Sequence, residues 1–238
     1  MPRNQTRRKM RTRDEITALT HEEKLDVIRE AQTAYVVDAM NLLGLKRWWL
    51  DGLKPLKEGQ KVVAPAFPFR LERIRKDEPA YNAYYAVESC PAGYAMVIAN
   101  IKETFLIGGN VATQASLKGI RAFVLEASNR DVADIRKLPL AVYSQGTGAH
   151  VEPSNIPVSF VPVESVEIGG GKIYKEDIIF GDDDGVIAIP SERLDDILYQ
   201  LELISEVERE AEEVLKKGVC DPVGFYKTII AKKAKPRE

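Results

Sequence analysis

The stretch "GGNVATQASLKGIRAFVLEASNRDVADIRKLPLAVYSQG", Gly108 to Gly146, decides the fold. It opens on a glycine turn that feeds a helix, and that helix stops at Gly119. "AFVLEA" follows as a short apolar run of strand character. "RDVADIRKL" reads as the next helix and "LAVYSQG" as another strand. Just upstream, "YAMVIAN" has the unbroken apolar character of a buried strand. Strands alternating with helices between residues 95 and 146 predict an α/β fold with a largely parallel central sheet.

Working outward, "LTHEEKLDVIREAQ" predicts a helix opened by a Thr20–Glu23 capping box. "TAYVVDAMNLLGL" predicts a second, with Thr33 as its cap and Gly44 as its end. "QKVVAPAF" is a strand candidate, and "PAYNAYYAVESC" a helix with Pro79 in its first turn. Beyond residue 146 the texture changes. "IPVSFVPVESVEIGGGKIYKEDIIFGDDDGVIAIP" holds short β runs divided by glycine turns, which predicts antiparallel hairpins. "SERLDDILYQLELISEVEREAEEVLKKG" predicts a long helix capped by Ser191 and ended by Gly218. No internal repeat and no long linker interrupts the chain. The expected organisation is a basic arm over residues 1–13 and one domain over residues 14–238, with helical extensions at both ends.

Composition narrows the function classes. The chain has 238 residues, 45% hydrophobic and 29% charged, and a net charge of -2. That balance makes no global case for a nucleic-acid or membrane partner. The first thirteen residues carry six Arg/Lys and no acid, a pattern expected of a disordered, solvated arm. No window approaches the roughly 18 apolar residues of a membrane span. Cys90 and Cys220 are far apart and form no CxxC, and the histidines are His21 and His150 alone. A thiol or histidine metal site is therefore not expected. Any metal would be held by oxygen ligands, which suits Mg2+ or Mn2+. The expected compartment is the cytoplasm.

Three motifs invite a chemical reading and yield a structural one. "GDDDG", Gly181 to Gly185, lacks the spaced ligands of a calcium loop and reads as a hairpin turn. "GGGK", Gly169 to Lys172, has neither the Ser/Thr nor the helix of a phosphate loop. His150 has no evident nucleophile to partner it.

The central stretch is more productive. Backbone N–H groups at Gly108, Gly109, Asn110 and Val111 would lie at a helix N-terminus, where anions bind and glycine permits close approach. Arg130 and Asp131 likewise follow a strand and open a helix. In α/β sheets such strand ends border the ligand crevice. If the two strands are neighbours, an Arg fork, free amides and a carboxylate converge. That set suits a 2-oxo acid whose carboxylate is taken by Arg130 and the amides, with a metal held by Asp131. In the C-terminal helix, Ile197, Leu201, Ile204, Ala211 and Leu215 form an apolar stripe. Glu208 falls near its middle, and a carboxylate there needs a partner or a function.

These residues resemble the RraA-like family, which includes the class II 4-hydroxy-4-methyl-2-oxoglutarate/4-carboxy-4-hydroxy-2-oxoadipate aldolases. The aldolase signature is a Gly, twenty residues, Arg-Asp, two residues and an acid. It is matched by Gly109, Arg130-Asp131 and Asp134. Likeness extends over roughly residues 30 to 230, from the early helix carrying Asp38 through "FGDDDGVIAIP" to "EREAEEVLKKG" and "GFYKTII". Glu126-Ala127 stands where the family usually has Asp-Gly. The resemblance implies a swivelling-type β/β/α domain, assembled as homo-trimers or hexamers with active sites between subunits. It implies that Arg130 holds the carboxylate and C2 oxygen of a 2-oxo acid, and that the Asn110 and Val111 amides cradle that carboxylate. It further implies that Asp131 holds Mg2+ through bound waters, and that a Glu from a neighbouring subunit's C-terminal helix contacts those waters. The stripe selects Glu208 for that role. The expected activity is divalent-metal-dependent C–C lysis through a pyruvate enolate, as a 4-hydroxy-2-oxo acid aldolase or oxaloacetate decarboxylase. The alternative is a non-catalytic regulator that binds a ribonuclease or other protein.

Overall fold

A computed structural model describes residues 10–45, 49–75, 77–78, 81–99, 105–149, 158–218 and 221–237. His150, Cys220, Pro79 and residues 1–9 of the basic arm lie outside the described residues. The chain divides into two compact units, residues 1–46 with 192–238, and residues 47–191.

The first unit is helical. It comprises α1 (Arg13–Thr17), α2 (His21–Glu30) and α3 (Thr33–Leu42). Two later helices complete it, and they are numbered below in chain order. Thr20 and Glu23 form the expected capping box: each side chain accepts from the other residue's backbone N–H. The α3 cap differs from expectation. Gln32 occupies the cap without a side-chain bond, and Thr33 is the first helical residue and buried. A threonine at the first helical position is sterically tolerated and here faces inward, which composition does not distinguish from a cap.

The second unit opens with β1 (Lys54–Pro55) and β2 (Val62–Arg73), then α4 (Ala83–Ser89), β3 (Ala95–Ala99), β4 (Phe105–Ile107), α5 (Gly109–Lys118), β5 (Ala122–Asn129), α6 (Val132–Ile135) and β6 (Ala141–Thr147). It ends with β7 (Val158–Pro162), β8 (Ser165–Ile168), β9 (Gly171–Tyr174), β10 (Ile178–Gly181) and β11 (Val186–Ile189). The chain then returns to the helical unit with α7 (Leu194–Lys216) and α8 (Pro222–Thr228).

Among the described residues, nine strands share one sheet in the order β1-β6-β5-β3-β2-β10-β11, with β4 beside β5 and β7 beside β2. The pairs β2–β3, β3–β5, β5–β6 and β4–β5 are parallel. The pairs β10–β2, β10–β11 and β2–β7 are antiparallel. The predicted parallel centre and the later hairpins are therefore both present. Residues 49–55 draw the two edges together, because Trp49 bridges Ile187 of β11 while Lys54 pairs with Ser144 of β6. The sheet is nearly closed.

The period-two alternation of the strands sorts side chains onto two faces. One face gathers Ala64, Ala66, Ala95, Val97, Ala122, Val124, Ala141, Tyr143 and Ile179. Small residues dominate it, as a tightly curled sheet requires. The other face carries Phe69, Met96, Ile98, Phe123, Leu125 and Val142, covered by Val87 of α4, Ala112 and Ala115 of α5 and Ile135 of α6. Tyr143 fills the narrow interior, wholly buried. A Cβ on Gly181 would overlap the Tyr143 ring, so the ring lies against bare backbone there.

Both turn motifs are structural. Asp182 N–H donates to Gly185 O at 3.0 Å and closes the β10–β11 hairpin. Gly169 and Gly170, at φ 56° and 81°, turn β8 into β9. A Cβ on Gly169 would lie 2.7 Å from the backbone of Leu50 and Asp51.

Several predicted boundaries shift. The α4 helix starts at Ala83 with Asn82 as its cap, accepting from the Tyr84 and Tyr85 N–H groups. An Asn side chain there satisfies donors that proline cannot. The helix predicted over "RDVADIRKL" is a single turn, α6. Ser191 begins a 3-10 turn, Ser191–Arg193, and α7 starts after it at Leu194. Gly218 ends that helix at φ 83°. The apolar stripe runs through Ile197, Leu201, Ile204 and Ala211 as read, but Leu215 is exposed.

Candidate active site

The candidate site is built at the C-terminal ends of β4, β5 and β6. Gly108 caps α5, and Gly109 is its first residue. The latter's amide is already engaged: Gly109 N–H donates to Asp131 Oδ2 at 2.9 Å. The next two N–H groups, of Asn110 and Val111, have no acceptor within the helix. Val111's side chain is in the core, so this residue offers the surface its backbone. Asn110 is exposed.

Arg130 leaves β5 with its N–H donating to Ile107 O at 3.1 Å. That bond ties it to the strand that feeds the glycine turn. Asp131 then adopts a left-handed conformation, φ 58° and ψ 35°, unusual for a residue with a side chain. Such strain concentrates at functional positions. Here it turns the carboxylate back over α5. A Cβ on Gly108 would lie 2.8 Å from Asp131 Oδ2 and 3.4 Å from Arg130 Nε. Arg130 Nε and Asp131 Oδ2 stand 3.9 Å apart, and both side chains are about half exposed (41% and 46%). Asp134, the last acid of the signature, lies just beyond. Its Cβ would be 3.7 Å from a Cβ on Gly109, and its carboxylate pairs with Lys137 at 2.8 Å.

The structure thus brings Gly108, Gly109, Arg130 and Asp131 together at one strand-end mouth. A cavity of about 450 Å3 opens beside them, lined by Arg130, Asp131, Val132, Thr147, Gly148 and Ala149. The Thr147–Ala149 wall had no sequence signal, because its placement follows from β6 lying parallel beside β5.

Glu208 belongs to the helical unit. Val207, not Glu208, takes the buried position of α7. Glu208 sits on the flank and has a partner: Lys233 Nζ bridges Glu208 Oε1 and Asp38 Oδ2, each at 2.5 Å. Burial opposes the charge on Lys233, yet its bonds to the two carboxylates outweigh that and raise its pKa. The two acids singled out on α3 and α7 are therefore held by one ammonium. In the same unit, Arg11 and Arg13 of the basic arm pair with Glu202 and Asp196 of α7.

Among the described residues no three His, Cys, Asp or Glu side chains cluster as a ready metal cage. Asp131 offers one carboxylate, fixed through Oδ2 by the Gly109 amide. This single hard oxygen ligand fits an ion that keeps most of its coordination shell as water, the habit of Mg2+. The described residues include no helix long and apolar enough to cross a membrane.

A nearly closed, parallel-rich sheet with flanking hairpins and a long C-terminal helix is the architecture of a swivelling-type α/β domain. A family profile described as RraA-like, Aldolase/RraA, matches residues 33–188. The chain belongs to the RraA-like family. It is 27% identical over 198 residues to DlpA of Legionella pneumophila, covering 82% of this chain but only 32% of DlpA. It is 26% identical to a candidate 4-hydroxy-4-methyl-2-oxoglutarate aldolase of Halalkalibacterium halodurans, covering 79% of this chain and 89% of that protein. The crystal structure of Streptomyces coelicolor RraAS2, described as an unusual member of the RNase ES inhibitor RraA family, superposes with a TM-score of 0.68 at 22% identity. The match covers 84% of this chain and 98% of that one.

The close fit of the glycine turn to Asp131 gives a direct test. Gly108→Ala places a methyl against Oδ2 and should displace the carboxylate; under the metal-dependent activity proposed below, turnover should fall about a hundredfold. Steady-state rates across a Mg2+ titration measure it.

Proposed function

We propose that the protein is a divalent-metal-dependent lyase that cleaves the C–C bond next to the carbonyl of a 2-oxo acid. The observation that carries this reading is the closure of Asp131 and Arg130 over the Gly108–Gly109 turn. It sets a guanidinium, a carboxylate and two free helix amides around one mouth. Family membership and the aldolase name of one relative agree with it.

Arg130 would hold the substrate carboxylate and the C2 oxygen, and the Asn110 and Val111 amides would complete the carboxylate cradle. In the retro-aldol direction the C3–C4 bond breaks and its electron pair moves to C3=C2–O−, the enolate of pyruvate. The 4-hydroxyl proton leaves to a water beside Asp131, and a proton returned to C3 yields pyruvate. Decarboxylation of oxaloacetate gives the same enolate with CO2 as the leaving group. Charge grows on the C2 oxygen in both, and a preorganised cation there stabilises the transition state. Asp131 would hold Mg2+ or Mn2+, which supplies Lewis-acid stabilisation of that same oxygen. Assembled as the trimer or hexamer that the family resemblance implies, the protein would bring Glu208 to a neighbour's site, oriented by Lys233.

The test is exchange of the pyruvate methyl protons in D2O. Exchange should require a divalent cation, stop with EDTA and be lost in Asp131→Ala. Exchange that survives both treatments sinks the mechanism. A tight stoichiometric protein partner together with no exchange would instead favour a regulatory role.

A further inference from the structure

We infer that Asn129 is a positioning residue for Arg130, clamping together the two walls of the cavity. This inference rests on the role proposed for Arg130 above. Asn129 is wholly buried. Its Nδ2 donates to Ser144 Oγ at 2.6 Å and to Gly146 O at 3.3 Å. Ser144 Oγ in turn donates to Gly146 O at 3.2 Å. The backbone O of Asn129 accepts from Gly148 N–H at 3.0 Å.

The placement of these bonds matters. The β5–β6 ladder slips between Leu125 and Ser128, then resumes at Ser128–Gly146 and Asn129–Thr147. The last rungs are thus separated from the regular ladder, and the Asn129 amide adds side-chain bonds where pairing is irregular. One cavity wall, Arg130–Val132, follows directly from Asn129. The other, Thr147–Ala149, follows directly from Gly146. Both leave from the same buried amide.

Packing alone does not account for the residue type. A buried amide is costly unless its polar atoms are bonded, and Asn129 Oδ1 has no partner among the described residues. A residue kept only to fill the core would be apolar. Asn129 instead fixes the strand end from which Arg130 projects, and with it the guanidinium's distance from the opposite wall.

The experiment is a double-mutant cycle on the full chain, read by the KM for pyruvate in Mg2+-dependent methyl-proton exchange. Asn129→Ala should raise KM about tenfold and lower the saturating rate much less, since a misplaced anchor weakens binding. In an Arg130→Lys background, whose ammonium on a flexible stem tolerates a shifted strand end better than a planar fork does, Asn129→Ala should change KM less than about twofold. A residue that only stabilises the fold would lower Tm and act equally in both backgrounds, and that result overturns the inference. If Asn129→Ala does not fold, Ser144→Ala removes the 2.6 Å acceptor and is read by the same cycle. An Arg130→Ala variant with unchanged KM and rate would point elsewhere, to failure of the lyase reading itself.

Discussion

Arg130→Ala should lower kcat/KM for a 2-oxo acid by about a thousandfold, close to 4 kcal/mol of transition-state stabilisation. The proposed mechanism gives Arg130 two tasks, carboxylate capture and stabilisation of the C2 oxygen, so KM should rise and kcat should fall together. Arg130→Lys keeps the charge but loses the planar fork, and should recover only part of the loss. Arg130 is half exposed, and its side chain supports no part of the core. The melting temperature should therefore move little. A fall in kcat/KM smaller than tenfold, in a folded variant, would remove Arg130 from the chemistry.

Gly181→Ala should be the most damaging single-methyl change in the barrel, lowering unfolding free energy by about 3 kcal/mol. The added Cβ would overlap the ring of Tyr143. That ring belongs to the same buried cluster as Val62, Val97, Val124 and Ala188. It has little room to retreat. Its hydroxyl donates to Gln60 O at 3.5 Å, and the Gln60 amide bonds both the N–H and the C=O of Val142. Pushing the ring therefore also disturbs the edge of β6. Urea unfolding measures the loss. In a Tyr143→Ala background the same glycine substitution should cost almost nothing, because the overlap is gone. Equal penalties in both backgrounds would show that the clash is not the cause.

Much of this arrangement was legible in the chain because its signals are local. Gly108–Gly109 before a helical run, and Gly119 after it, mark a strand–turn–helix connection wherever they occur. Repeating that pattern into "AFVLEA" and "LAVYSQG" makes parallel pairing the economical solution, and parallel pairing puts Arg130 near Gly109. Where one residue type serves two purposes, the chain was less informative. Thr33 and Ser191 are good caps, yet each lies one or a few residues off the true cap. Glu208 looked central to the stripe because a fixed 100° step lets either 207 or 208 close the gap between Ile204 and Ala211. Tertiary packing chose Val207. Lys233, the partner of Glu208, is distant in sequence and carries no motif. Asn129 gave no signal either: its role depends on Ser144 and Gly146, which only the β5–β6 register brings alongside.

The strip at residues 49–55 has a kinetic consequence. Its bonds reach from Lys54 to Ser144 and from Trp49 to Ile187, and the second joins residues further apart in sequence than the β2–β10 pairs do. Loop-closure entropy delays contacts of this kind. The β3–α5–β5–β6 block, joined by short crossovers, can assemble first and offer a template, with the strip sealing the barrel last. Amide hydrogen exchange should accordingly be slowest along β3 and β5 and fastest at Leu50 and Leu56, whose N–H groups bond Val186 O and Val142 O. The residues that would do chemistry thus lie in the early-forming half, shielded from the breathing of the late seam.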